Sequence, residues 1–246
     1  MNLILLEERD RVAEQTYVVR DERARHILEV LHAQPGATIR VGLLDGPMGA
    51  GHVTRVGDGM VELVFGEPCP PPPRPPVDLV LAIPRPKTLR KVLPEIAALG
   101  VDRVILLRTW RVAKPYVTAD VLEPREYLPL LHEGLMQGRR TLLPRVTIEP
   151  LFKPFIEDRA PALFADATVR LVAHPTASTP MGAVRVKAHE RVAIAIGPEG
   201  GFIPYEVEAF EAMGFEPVSM GPHPLRVETA CVALLAQLQL LRELGG

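Results

Sequence analysis

Three short segments of this 246-residue chain combine residue types that can do chemistry. They are Ala173-His174-Pro175, Ile196-Gly197-Pro198-Glu199-Gly200-Gly201 and Met220-Gly221-Pro222-His223-Pro224-Leu225-Arg226-Val227-Glu228-Thr229. Each ends an apolar run that reads as a strand, and in open parallel sheets ligands bind beyond the carboxyl ends of the strands. The glycine-rich segment first suggests a phosphate loop, but its own residues argue against one. A phosphate cradle needs several converging N–H groups and no negative charge. Pro198 lacks the N–H, and the Glu199 carboxylate repels a phosphate. The dinucleotide spacing GxGxxG and the GK[ST] ending of a nucleotide-binding loop are both absent. A ligand gripped by backbone edges suits the segment better, and an adenosine with a cationic centre has that character. The competing reading is a tight turn before a helix; composition does not separate the two. In the third segment, Arg226 and Glu228 open a long helix. Helix N-termini favour acids over arginine, so Arg226 points to a partner or a substrate. Glu228 either reaches a proton or serves as a structural partner of Arg226 or a cap. Thr229 is assigned to capping.

These segments need a sheet to hold them. Val77–Ile83, Val101–Leu107, Val169–Ala173, Val192–Ile196 and Phe215–Met220 read as strands. Lys87–Leu99, Pro124–Gln137, Pro204–Met213 and Leu225–Leu244 read as helices, the first and third ended by Gly100 and Gly214. The alternation predicts an α/β fold, a parallel sheet with helices on both faces. Ahead of it, Gln15–Val19, Thr38–Leu43, Gly51–Val56 and Met60–Phe65 read as short strands interrupted by one helix, Glu22–Leu31, and by turns at Leu44-Asp45-Gly46 and Gly57-Asp58-Gly59. That pattern predicts a small barrel. The run Glu67 to Pro76, EPCPPPPRPP, can neither donate to a ladder nor continue a helix. The expected organisation is a barrel domain at 1–68, a proline-rich linker at 69–76 and a larger domain at 77–246.

Composition sets the remaining bounds. The formal net charge of -2 gives no global sign of a nucleic-acid partner, but charge is unevenly distributed. Met1 to Pro68 holds 7 basic and 11 acidic residues, Arg74 to Arg145 holds 13 and 7, and the remainder 8 and 12. The basic middle stretch makes Arg85, Arg111, Arg139 and Arg140 the candidates for phosphate contacts, against the plainer reading of solvated helix faces. No apolar run is long enough to span a bilayer. MNLILLEERD lacks the form of a secretory signal, so cytoplasm is the expected compartment. Cys69 and Cys231 are far apart and lack metal spacing; no metal is expected. Arginine far outnumbers lysine and there are 26 prolines, a bias that fits a thermophilic source or a GC-rich genome.

Ile196-Gly-Pro-Glu-Gly-Gly201 followed by Leu225-Arg226-x-Glu228-Thr229-Ala230 resembles the signature of the ribosomal RNA small-subunit methyltransferase E family, part of the SPOUT class. The similarity extends further. His174-Pro175 matches a His-Pro after a strand, and Leu99-Gly100-Val101 a helix-to-strand turn. Gln137, Arg140 and Pro144 fit Q-x-x-R-x-x-x-P, His26, Val30 and Leu31 fit H-x-x-x-V-L, and Asp45-Gly46 fits a turn. The sequence departs at Met136 and Ala98, where the family usually has glutamate, at His32, where it usually has arginine, and at Met220, where leucine is common.

The resemblance implies an S-adenosylmethionine-dependent methyltransferase that modifies N3 of a specific uridine in 16S rRNA of the small subunit. It implies a PUA-like β-barrel followed by a trefoil-knotted SPOUT domain, and a homodimer with the site near the subunit interface. Carried over residue by residue, cofactor contacts fall on His174, Pro175, Ile196, Gly197, Pro198, Glu199, Gly200, Met220, Gly221 and Leu225. Arg226 and Glu228 become the candidate catalytic residues, for the anionic uracil and for its proton. A SPOUT enzyme acting on tRNA, or a non-catalytic RNA-binding protein, are the rival readings.

Overall fold

The computed structural model describes residues 2–221 and 223–245. The chain forms two compact units: Met1–Pro73 with Leu131–Leu143, and Arg74–Leu130 with Pro144–Gly246.

The first unit is built on a six-stranded sheet ordered β1-β4-β5-β6-β3-β2. Its strands are β1 (Ile4–Leu6), β2 (Arg11–Ala13), β3 (Thr16–Val19), β4 (Thr38–Leu43), β5 (Met48–Gly57) and β6 (Met60–Cys69). β1 runs parallel to β4 and the other pairings are antiparallel. β3, β4 and β6 start within a residue of where alternation puts them. β5 starts three residues earlier than expected, and β6 runs past Pro68 until Cys69 pairs with Met48, so the ladder reaches into the proline-rich run. The expected single helix is instead a short α1 (Glu22–Arg25) that continues as a wide π-helical turn over His26–Val30 and stops at His32, whose φ is +49°. Asp21 caps α1 by accepting from the Arg23 amide at 3.0 Å. The Arg23 guanidinium then forks onto Asp10 at 2.6 and 2.8 Å and donates to the Leu5 carbonyl. Ile4, Leu6, Tyr17, Val19, Ile27, Val41, Leu63 and Phe65 form the apolar core of this unit.

The second unit carries seven strands: β7 (Val77–Ala82), β8 (Arg103–Leu107), β9 (Arg145–Glu149), β10 (Val169–Ala173), β11 (Thr179–Pro180), β12 (Val192–Ile196) and β13 (Glu216–Ser219), ordered β11-β13-β10-β12-β7-β8-β9. Every pairing in this sheet is parallel, as the alternation predicts. β7 and β12 are buried at every position, as a strand covered on both faces must be. The helices are α2 (Pro86–Ala98), α3 (Pro124–Gly138), the short α4 (Phe152–Pro154) and α5 (Ala160–Leu163) joined by a π turn, α6 (Pro204–Ala212) and α7 (Val227–Leu244). α3 starts in this unit and ends in the other. α7 packs on α2 and touches β12. Neither β9 nor the helical stretch at 152–163 is expected from the sequence. The second is anchored by Phe152, Phe155 and Phe164, which join Phe210 and Phe215 in edge-on and tilted ring contacts.

At the amino ends of β7 and β8 lies a network of buried charges. The Asp78 carboxylate is fully buried and accepts from Arg103 Nε at 2.7 Å and from Arg191 Nη1 at 2.8 Å. Arg191 also reaches Asp102 at 3.0 Å. This network occupies the edge of the sheet opposite to the carboxyl ends.

Candidate active site

The strand register gathers the three chemistry-bearing segments. Ala173 of β10 lies beside Ile196 of β12 on one side and beside Val218 of β13 on the other. His174, Gly197 and Ser219 therefore leave the sheet at the same edge, and the His174 amide donates to the Val218 carbonyl at 2.9 Å. Of the three segments, only Pro222 lies outside the described residues.

The Ile196–Gly201 loop is a tight turn with built-in supports. The Gly201 amide donates to the Pro198 carbonyl at 2.8 Å, and Gly201 takes φ +72°, a conformation that favours glycine. A Cβ on Gly197 would lie 3.0 Å from the Phe202 amide nitrogen, so any larger residue there would press on the closing turn. The sequence left Glu199 between binding and structure. Its Oε1 accepts from the Arg85 amide at 3.0 Å and from the Thr88 hydroxyl at 3.4 Å. A carboxylate from a distant loop thus caps the amino end of α2, where Arg85 offers no side-chain cap of its own. The Gly200 carbonyl accepts from Arg111 Nη1. Two of the arginines expected to meet phosphates, Arg85 and Arg111, are therefore attached to this loop, one by its backbone and one by its guanidinium. Arg139 and Arg140 fall in the other unit. There Arg139 takes φ +53°, and Arg140 donates to the Pro73 carbonyl at 3.5 Å while burial pulls its guanidinium below its usual range.

His174 is half-buried and pairs its Nδ1 with the Thr176 hydroxyl at 3.0 Å; Pro175 is exposed. Ile196 is buried, Met220 half-buried, and Gly221 and Leu225 exposed. Arg226 is the N-cap residue of α7, exposed, with extended backbone and no capping bond from its side chain. Among the described residues it makes no ion pair. Thr229 does not cap the helix, contrary to expectation: it is the third residue inside α7 and exposed, so its hydroxyl is past the capping position. Glu228 does not pair with Arg226 either. Its carboxylate lies 3.7 Å from Lys91 Nζ on α2, and a helical N2 position turns it toward that neighbour. One turn further, Cys231 is buried, and desolvation with the Glu228 charge pushes its thiol up to about 12.

Sequence reasoning missed four contributors: Thr88, Lys91, Trp110 and Glu206. Glu206 is 2% exposed and ties two loops together: Oε1 accepts from the Trp110 amide at 2.6 Å and Oε2 from the Ile203 amide at 3.0 Å. Its place, two residues after a helix-starting proline, was a readable capping signal; its reach to Trp110 was not.

This donor set fits a particular ligand class. The loop offers neutral backbone, lacks one N–H at Pro198 and directs its acid into α2. Backbone edges of this kind suit the hydrogen-bonding edge of an adenosine; a phosphate would need several converging N–H groups, and Pro198 removes one of them. The RNA methyltransferase domain family matches residues 71–239. Over 243 residues the chain is 30% identical to the ribosomal RNA small subunit methyltransferase E of Treponema pallidum, covering 96% of this chain and 90% of that protein. It is 26% identical to the enzyme of the same name from Mycobacterium bovis, covering 91% and 86%. Among solved structures, the ribosomal RNA small subunit methyltransferase E of Neisseria gonorrhoeae bound to S-adenosyl methionine superposes with a TM-score of 0.78 at 20% identity, covering 98% of each chain, a likeness of fold. On these grounds the chain belongs to the ribosomal RNA small subunit methyltransferase E family.

Proposed function

We propose that the protein transfers a methyl group from S-adenosylmethionine to N3 of a uridine in the 16S rRNA of the small ribosomal subunit. The observation that carries this is the convergence of His174, the Ile196–Gly201 loop and the Met220–Glu228 segment at one edge of a parallel sheet, in a chain of this family. The backbone at Ile196, Gly197, Gly200, Met220, Gly221 and Leu225 is assigned to the adenosine, with His174 and Pro175 as walls. Pro198 shapes the loop, and Glu199 fixes it to α2.

When bound, the cofactor supplies an already activated methyl on its sulfonium, so positioning is most of what the protein must add. Uridine N3 attacks only after losing its proton. Arg226, exposed at the head of α7 and without an ion pair among the described residues, stabilises the resulting anionic ring or the phosphate beside it. Glu228 takes the N3 proton, with Lys91 holding its carboxylate in place. Arg85, Arg111, Arg139 and Arg140 contact rRNA phosphates. The target base must be unpaired or flipped out to be reached.

The finer architecture belongs to the same proposal. A trefoil knot is supported by β13 lying between β10 and β11, strands the chain lays down before it reaches β13, and by α7 then crossing back to α2 and β12. A PUA-like barrel is supported by the mixed β1–β6 sheet; its expected bounds, 1–68 with 69–76 as linker, belong to the proposal, with Leu131–Leu143 joining the same compact unit. A homodimer is supported by exposed Val232, Leu240 and Leu244 on α7. The cytoplasm, where small subunits are assembled, is the fitting compartment.

Incubation with radiolabelled cofactor and either small subunits or tRNA tests the activity, with the product located by mass mapping. Label confined to N3 of one 16S uridine is the expected result. Label only in tRNA, or no heat on mixing with S-adenosylmethionine in a calorimeter, would sink this reading.

A further inference from the structure

Trp110 is the only tryptophan of the chain, and its side chain is 80% exposed. A large aromatic group is costly to leave in water, and it is not loosely held here. The Val112 amide donates to the Thr109 carbonyl at 3.1 Å, so Trp110 and Arg111 form the corner of a tight turn just after β8. Thr109 and Val112, the residues flanking that corner, are both buried. The Trp110 amide is fixed on the buried Glu206 carboxylate at 2.6 Å, and the Arg111 side chain is fixed on the Gly200 carbonyl. The indole therefore projects from a clamped backbone one residue away from a direct contact with the candidate cofactor loop.

Its neighbours identify what it meets. Along the segment stand Arg108, Arg111 and Lys114, the last two exposed. The acids that approach this turn and loop, Glu199 and Glu206, are occupied by backbone amides. No other large apolar side chain between residues 108 and 120 is exposed. Two further exposed side chains stand on segments tied to this turn, Tyr205 beside Glu206 and Leu151 after the strand whose Glu149 carbonyl accepts from the Arg108 amide; exposed aromatic rings flanked by cations are the arrangement that holds single-stranded nucleic acid. The geometry points to Trp110 as a stacking platform for an unpaired base of the RNA substrate, with Arg111 and Lys114 on the flanking phosphates. It rests on the methyltransferase reading above and adds a positioning residue to it.

The lone tryptophan makes the test direct, because all indole fluorescence comes from this position. The wild-type protein is titrated with a short single-stranded oligouridylate and, separately, with duplex RNA. Quenching by the single strand, together with little quenching by the duplex, is expected. Trp110→Ala weakens binding of the single strand on the order of tenfold, and Trp110→Phe keeps most of it. With small subunits as substrate, Trp110→Ala raises KM more than it lowers kcat. Single-strand binding without a change in indole fluorescence overturns the proposal. So does fluorescence that changes on dilution of the protein without RNA, which would place the indole against a second copy of the chain. Cofactor binding is followed separately by calorimetry. A protein that takes no S-adenosylmethionine but whose indole is quenched by single-stranded RNA overturns the earlier reading and supports this one.

Discussion

Arg226 and Glu228 sit two positions apart, yet their surroundings differ. Arg226 is exposed and makes no ion pair among the described residues, while Glu228 faces Lys91 at 3.7 Å. Arg226→Ala is expected to lower kcat by about two orders of magnitude, the scale of a lost charge-stabilising group, with cofactor affinity changed far less. Parallel turnover measurements and calorimetry check this, and unchanged turnover would remove Arg226 from the site. The two cysteines separate just as cleanly. Cys69 is exposed, whereas Cys231 is buried and its thiol is pushed up to about 12, so it carries almost no thiolate at neutral pH. A thiol reagent should modify one cysteine quickly, identified as Cys69 by peptide mapping, and reach Cys231 only after unfolding. Fast modification of both would contradict the packing of α7.

Elements, rather than single residues, hold the cofactor loop. Glu199 gives α2 the cap that Arg85 lacks, so Glu199→Ala should cost ~1 kcal/mol in a urea unfolding experiment and weaken S-adenosylmethionine binding severalfold. A loss of stability with unchanged cofactor affinity would mean that α2 and the loop are independent. Much at this scale was legible beforehand. β10 and β12 occupy the expected residues because VRLVA, broken only by Arg170, and VAIAI are short, largely apolar runs that end at His174 and Gly197. The parallel order followed from helices between strands. Other elements were not legible. β9 buries little of its RVTIE sequence except Glu149, so it shows no apolar run. The stretch at 152–163 carries Pro154 and Pro161, which read as breaks, yet Phe152 docks on Phe210 of α6, and Phe155 packs on Phe164, which meets Phe215 just ahead of β13. The site shows the same division. Motif spacing identified the loop and the head of α7, because those residues adjoin in sequence. The partners of Glu199, Glu206 and Glu228 lie over a hundred, ninety-six and over a hundred residues away, and no local pattern records such distances.

The two units of the whole molecule carry different electrostatic loads. In the first, His132 is half-buried 3.9 Å from Glu7. Burial pulls its imidazole below the ordinary 6.5, helped by Arg9 and Arg23 and opposed by Glu7 and Asp45. A base with a lowered folded value is protonated more readily in the unfolded chain. Its contribution to stability is therefore complete above about pH 6.5 and is lost as pH falls through the folded value. Asp21, held below the usual carboxylate range by its hydrogen bonds with Arg23, adds a loss of the same sign at lower pH, below its ordinary 3.8. Thermal unfolding followed from about pH 7 to about pH 5 should show falling stability, and His132→Gln should flatten that slope. An identical slope in the variant would assign the acid sensitivity elsewhere.

Leu131–Leu143 belongs to the first unit although it follows the start of the second in the chain. During synthesis the amino-terminal part cannot be completed when Pro73 leaves the ribosome; it must wait for Leu143, by which time β7, α2 and β8 have already emerged. The order of maturation is therefore interleaved rather than amino-terminal first. A gene fragment ending at the proline run would encode an unfinished half, which makes the amino-terminal unit a poor cassette for transplantation into other proteins.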